Sequence, residues 1–283
     1  VNLIKMLFRI AAITLALFAP LASAETRATD AAYDYDHPEL WKDMTGSACA
    51  GMKNSPIAVK DDGCTRYEDY AMNHGDCTFG HMEGVVTNNG VNLVYKDSNP
   101  DCTKPHFNIP GMEATYYHHN AHIHLSSEHT IDGRFFSAEM HMVHLNSGGT
   151  RAAVVGSMIE ASAVDDNAIF DIFLDNWKAA RAGVECGDCA QVSSDKTRDS
   201  QVMHPYKMLD GNSYYHYDGG LTTPPCSEIV WWNLAATPMS ISVRQMAEMT
   251  DIILNTKTLQ EDGSCKKVTV ASKHGSTSRP TQP

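Results

Sequence analysis

The chain has 283 residues, with 34 acidic against 22 basic side chains and a formal net charge of −12 counting histidine as neutral. That excess of carboxylates repels a phosphate backbone, so nucleic acid is excluded as an expected partner. The length allows one large domain, and no linker, repeat or low-complexity tract divides it.

Residues 1–24 read as a secretory signal peptide. Lys5 and Arg9 precede an apolar run over residues 10–22, and Ala22-Ser23-Ala24 is a small-x-small cleavage site. The run is short of the ~20 residues a spanning helix needs. No membrane span is therefore expected in the mature chain, which is exported to a periplasm or an extracellular space, and residues 25–283 form the folded domain. All eight cysteines (Cys49, Cys64, Cys77, Cys102, Cys186, Cys189, Cys226 and Cys265) follow the leader. An even count in an exported chain favours disulfides. Cys186-Gly-Asp-Cys189 has redox-motif spacing, but no thioredoxin-like strand and helix flank it, so a staple is expected there.

In chain order, GVVTNNGVNLVY (84–95) carries two β-rich runs around an Asn88-Asn89-Gly90 turn signal. Residues 120–124 and 138–144 alternate with the period of strands. RAAVVGSMIEA (151–161) is a short buried run. A helix is predicted over DDNAIFDIFLDNWKAARAG (165–183), capped by Asp165 or Asp166, with Ile169, Ile172, Phe173, Trp177 and Ala180 as its apolar stripe and Gly183 as its stop. SEIVWWNLA (227–235) is another buried strand. A second helix begins at Ser242, which has capping-box spacing to Gln245; Met246, Met249 and Ile253 make its core face. Many short strands with few helical crossovers predict a mainly β (α+β) single domain around a large twisted, mostly antiparallel central sheet with a few peripheral helices.

The chemistry concentrates in NAHIHLSSEHTIDG (120–133) and AEMHMVH (138–144). Strand periodicity puts Asn120, His122 and His124 on one face, and Glu139, His141 and Val143 on one face of the second strand. Side by side, the two strands bring His122, His124 and His141 together, with Asn120 and Glu139 beside them. Three neutral imidazoles leave a tetrahedral zinc ion one open position. Ligand histidines give their other N–H to an amide or carboxylate, and Asn120 and Glu139 are of those types. His144 points the other way and reads as structural. No HExxH is present, so a helix-borne zinc protease has no support.

HIHLSSEHTIDG followed by AEMHMVHLN resembles the zinc core of the alpha-class carbonic anhydrases. YYHYDGGLTTPPCSEIVWW resembles the family's second signature, NSPIAV and TNNG its early motifs, and SRPTQP its RPxQP. The motifs run in the expected order from about residue 33 to 283. The resemblance implies a zinc enzyme that hydrates carbon dioxide reversibly to bicarbonate and a proton, through attack of zinc-bound hydroxide on CO2. It implies His122, His124 and His141 as ligands, Asn120 and Glu139 as their supports, and Thr222 oriented by Glu128, with Thr223 at the rim. It makes His129 and Tyr217 structural, and it lines the CO2 pocket with Val143, Val154, Leu221 and Trp232. Cys49 and Cys226 match a disulfide common in exported relatives.

Two departures stand out. Efficient members carry a proton-shuttling histidine just after the NNG turn, where this chain has Val91; His118 and His119, before the ligand strand, are the histidines placed to substitute. YDYDHPELW is shorter than the usual N-terminal aromatic segment, and both Tyr33 and Tyr35 remain open as the cavity tyrosine. The alternatives weighed are a binding module, as in relatives that have lost the zinc histidines, and a zinc hydrolase acting on esters.

Overall fold

The computed structural model describes residues 33–61, 66–67, 72–87, 90–108, 114–182, 203–209 and 212–283. The expected leader (1–24), the Asn88-Asn89 turn, Gly183 and the Cys186/Cys189 pair lie outside the described residues, and so does Cys64.

The strands, in chain order, are β1 (Ala58–Val59), β2 (Arg66–Tyr67), β3 (Met82–Thr87), β4 (Gly90–Tyr95), β5 (His106–Asn108), β6 (Thr115–Leu125), β7 (Thr130–Ile131), β8 (Ala138–Leu145) and β9 (Ala152–Ala163). After helix α1 (Ala168–Ala182) come β10 (Tyr214–Gly219), β11 (Val230–Ala235) and β12 (Met239–Ser242), then helix α2 (Val243–Asn255), β13 (Lys257–Leu259) and β14 (Cys265–Lys267). Among the described residues, ten strands form the central sheet, in the order β2-β10-β11-β9-β8-β6-β4-β3, with β12 added beside β9 and β5 beside β6. β9 runs parallel to β11 and β12; its pairing with β8, and those of β8 with β6, β6 with β4 and β4 with β3, are antiparallel. The expected strand-dominated domain with few helices is what the chain builds.

Period-two alternation divides the sheet's side chains between two packed faces. Ala121, Ile123, Leu125, Met140, Met142 and Val155 join the main core under α1 and α2, where Phe170, Phe173, Trp177 and Met249 pack. Val154, Met158, Trp232 and Leu234 join a smaller core on the other side. The alternation in β6 is broken once, where the register shifts between His118 and Asn120 in the ladder with β8. His119 is the extra residue of this bulge. It carries His118 onto the face of Ala121 and away from that of His122.

Both helices begin at side-chain caps. Ser242 and Gln245 form the expected capping box on α2. The cap of α1, however, is Asn167, whose Oδ1 accepts from the N–H groups of Ile169 and Phe170, both at 3.1 Å. Asp165 and Asp166 sit one residue or more too early. The Asp166 carboxylate instead accepts from Ser242 Oγ and the Arg244 guanidinium, tying the start of α1 to the start of α2. Disulfides join Cys49 to Cys226 and Cys77 to Cys102. Among the described residues no helix is long and apolar enough to cross a membrane.

Candidate metal centre

β6 and β8 place the three histidines by register alone. His122 lies directly opposite His141, and His124 opposite Glu139. The three rings come together with centroids 5.3 Å (His122–His124), 5.3 Å (His122–His141) and 4.7 Å (His124–His141) apart. One nitrogen from each lies within 4.8 Å of the others.

The remaining nitrogen of each ring is engaged. His122 Nδ1 bonds Asn120 Oδ1 at 2.9 Å, His124 Nδ1 bonds the Thr277 carbonyl at 2.6 Å, and His141 Nε2 bonds Glu139 Oε1 at 2.8 Å. Each acceptor fixes the N–H on the far side of the ring and leaves a lone pair facing the other two histidines. His124 Nε2 is buried and has no hydrogen-bond partner. A buried unpaired imidazole nitrogen is costly in itself, and three converging nitrogen lone pairs are what zinc takes. The residues therefore fit the ion. Burial holds all three imidazoles below their usual pKa, and for His122 the neighbouring His124 and His141 add to it. They are neutral, as ligation requires.

Glu139 organises the surroundings. Its Oε1 accepts from His129 Nδ1 (2.7 Å) as well as from His141, and its Oε2 accepts the backbone N–H groups of Glu128 and His129, both at 2.8 Å. Burial pushes this carboxyl up, but His129 and His141 outweigh it and hold the group well below the ordinary carboxylate range. There is no room for a side chain opposite: a Cβ at Gly156 would lie 3.1 Å from Glu139 Oε1 and 2.6 Å from Leu234 Cδ2. The network continues outward. Tyr217 Oη bonds His129 Nε2 at 2.6 Å and Ser55 Oγ at 2.8 Å, and Ser55 Oγ accepts the Gly220 N–H at 3.2 Å.

Glu128 is fully buried beside the histidines, with Oε2 3.4 Å from His124 Nε2. Ser126, at φ 63°, turns the chain sharply after β6 so that Glu128 returns to that position. Burial raises its carboxyl to about 7, against the pull of His141, the Arg279 N–H and the Thr222 hydroxyl. Thr222 is buried, and Thr223 closes the next turn by accepting the Cys226 N–H at 2.8 Å. Val154 and Trp232, with the partly buried Val143 and Leu221, gather in the smaller core. The Trp232 ring centroid lies 4.8 Å from those of both His129 and His141.

Tyr33 and Tyr35 both line a cavity of about 40 Å³ next to His122, Val91 and Thr277. The two shuttle substitutes do not reach it. His118 is buried against His144 and Tyr206 on the opposite face of the sheet, with ring centroids 5.5 and 5.6 Å away. His119 is exposed in the bulge. The bulge thus leaves His118 facing away from this cavity, on the side of the sheet opposite His122. Among the described residues the other clusters of metal-binding types are accounted for. His129, Glu139 and His141 are bonded to one another, and in the group of His81, Asp101 and Cys102 the cysteine is in a disulfide.

Sequence reasoning missed Thr277 and Arg279 as partners of His124 and Glu128. Arg279 lies inside SRPTQP, a stretch noticed only for its resemblance; nothing in the local sequence around Thr277 marks a carbonyl acceptor.

A family model described as eukaryotic-type carbonic anhydrase matches residues 36–283. A carbonic anhydrase of Dunaliella salina is 27% identical over 241 residues, covering 78% of this chain and 39% of that longer protein. Carbonic anhydrase 7 of Homo sapiens is 29% identical over 233 residues, covering 78% of this chain and 85% of that one. The structure of alpha-carbonic anhydrase from Thermovibrio ammonificans in complex with the inhibitor sulfanilamide is similar with a TM-score of 0.60 at 24% identity, covering 87% of this chain and 91% of that one.

Proposed function

Because the chain belongs to the eukaryotic-type carbonic anhydrase family, we propose that it hydrates carbon dioxide reversibly to bicarbonate and a proton, using a zinc ion held by His122, His124 and His141. The observation that carries the metal is the convergence of three ring nitrogens whose opposite ring nitrogens are each engaged, together with the buried His124 Nε2, which has no hydrogen-bond partner. When bound, zinc supplies a hydroxide nucleophile at neutral pH, since in carbonic anhydrases it lowers the pKa of water from ~15.7 to ~7, a magnitude that belongs to the family.

The chain's own residues do the rest. Asn120, the Thr277 carbonyl and Glu139 keep the imidazoles in the ligating tautomer. Glu128, as the carboxylate, takes the Thr222 hydroxyl proton as a hydrogen bond, so Thr222 offers only lone pairs to the site. It then admits an oxygen that carries a proton and disfavours one that does not. Val143, Val154, Leu221 and Trp232 give an apolar wall that suits a nonpolar substrate and keeps competing water away. Thr223 stands at the rim beside Thr222. Val91 offers no proton acceptor, so the released proton passes to external buffer. Export, a cleaved leader and a periplasmic or extracellular location belong to the same reading; the disulfides among the described residues suit that environment.

The test is carbon dioxide hydration by the purified chain before chelation, after it, and after zinc is returned. Activity that leaves and comes back with zinc is the expected result. A folded, zinc-loaded protein that does not hydrate carbon dioxide overturns the reading.

A further inference from the structure

Arg279 stands apart from the ligand strands, yet it touches both halves of the site. Its backbone N–H donates to Glu128 Oε1 at 2.9 Å. The residue is only 3% exposed, although its side chain carries a full charge. Among the described residues no carboxylate bonds the guanidinium. Its partners are neutral: Nη1 donates to Asn54 Oδ1 (2.9 Å) and to the Ser55 carbonyl (2.7 Å), and Nη2 to the Cys49 carbonyl (2.9 Å). The Trp41 ring covers it at 5.6 Å.

Burying a cation against neutral acceptors costs stability unless the geometry is otherwise needed. The need becomes visible in what the same acceptors hold. Ser55 Oγ accepts the Gly220 N–H, and Cys49 is disulfide-bonded to Cys226. Residues 49–55 thus grip both ends of the loop that carries Thr222. Arg279 grips residues 49–55 with its side chain and Glu128 with its backbone.

We propose that Arg279 is a positioning residue that sets the placement of Glu128 relative to Thr222, by referencing the Glu128 carboxylate to the same Cys49–Ser55 segment that anchors the Thr222 loop. The inference rests on the roles given above to Glu128 and Thr222. A planar fork is needed to reach three acceptors in different directions, and a lysine ammonium on a flexible stem does not reproduce it.

The test compares the full-length chain with Arg279→Lys, Arg279→Ala and Asn54→Ala. Three quantities are read: kcat and KM for carbon dioxide, the visible spectrum of the Co2+-loaded protein, and the thermal midpoint. Arg279→Lys is expected to lower kcat roughly 10-fold, the scale of outer partners of a metal site, with KM little changed and the cobalt band shape altered. Asn54→Ala, which removes one acceptor, is expected to move the same two readouts less. If Arg279→Ala does not fold, these two variants decide alone. A lower thermal midpoint with kcat and the cobalt spectrum unchanged would make Arg279 a structural residue only and overturn the proposal. The cobalt spectrum is independent of turnover, so a parent protein without hydration activity sinks the functional reading and still leaves this one decidable.

Discussion

His129 and His141 share one acceptor: both rings bond Glu139 Oε1, at 2.7 and 2.8 Å. With two backbone N–H groups on Oε2, the carboxylate receives four hydrogen bonds in a fully buried position. Only an ionised carboxylate accepts all four. Glu139→Gln replaces one accepting oxygen with a donor that faces N–H groups. Zinc affinity should fall 10- to 100-fold, measured by competition with a chromogenic chelator. An unchanged affinity would remove Glu139 from the metal's support.

Val91 is buried, 6% exposed, and lines the cavity beside His122, at the position where the resemblance implies a proton-relaying histidine. His118 faces the wrong side of the sheet and His119 points to solvent. Turnover should therefore rise with the concentration of a small buffer of pKa near 7, in assays at fixed ionic strength. Turnover independent of buffer would reveal a relay group inside the protein.

His144 donates Nδ1–H to the Ala153 carbonyl at 3.1 Å and accepts the Tyr206 hydroxyl on Nε2 at 2.8 Å. Burial drives its pKa down to about 3, and buried His118 beside it is also held well below its usual value. The unfolded chain takes up these protons near pH 6.5, whereas the folded chain resists them. Their contribution to stability is intact above pH ~6.5. It is lost progressively as pH falls toward 3, because the unfolded state then binds more protons. His144→Gln keeps a donor and an acceptor without titrating. Urea midpoints measured from pH 7 to 4 should decline less steeply for this variant than for the parent, and equal slopes would exclude His144 as a source of acid sensitivity.

The Cys49–Cys226 bridge closes a loop with a sequence separation of 177. Its removal by Cys49→Ala with Cys226→Ala should cost about 2–5 kcal/mol in chemical denaturation. Because Cys226 follows Thr223 closely and Cys49 O is an Arg279 acceptor, kcat should fall as well. The Cys77–Cys102 bridge, with a separation of 25 and no described contact with the histidine site, offers the comparison: its removal should lower stability and spare kcat.

What could be read beforehand follows from range. The ligand triad depends on two strands whose side chains alternate with a fixed period, so residues 120–124 and 138–144 carried enough information to bring His122, His124 and His141 together. The rule does not extend to His118, because one inserted residue, His119, reverses the phase and a bulge leaves no compositional mark. The cap of α1 went to Asn167 instead of Asp165 or Asp166, since capping depends on where the first free N–H groups fall, and three consecutive polar residues hide that boundary. Thr277 and Arg279 act across sequence separations of 153 and 151 residues. One uses a backbone carbonyl and the other a backbone amide, groups that every residue possesses.

That last distance has a consequence for biosynthesis. A chain emerging from its N-terminus presents His122, His124 and His141 early, while the carbonyl that steers His124 and the amide that pins Glu128 are more than a hundred residues from being made. Until residues 277–279 arrive, His124 lacks the carbonyl that selects its tautomer and Glu128 lacks one of the groups that orient it. On the proposed zinc reading, a nascent polypeptide lacking these two groups is expected to hold the cation more loosely than the folded chain does. Tight metal capture is therefore expected, on that reading, to wait for residues 277–279 and not only for the strands that carry the ligands.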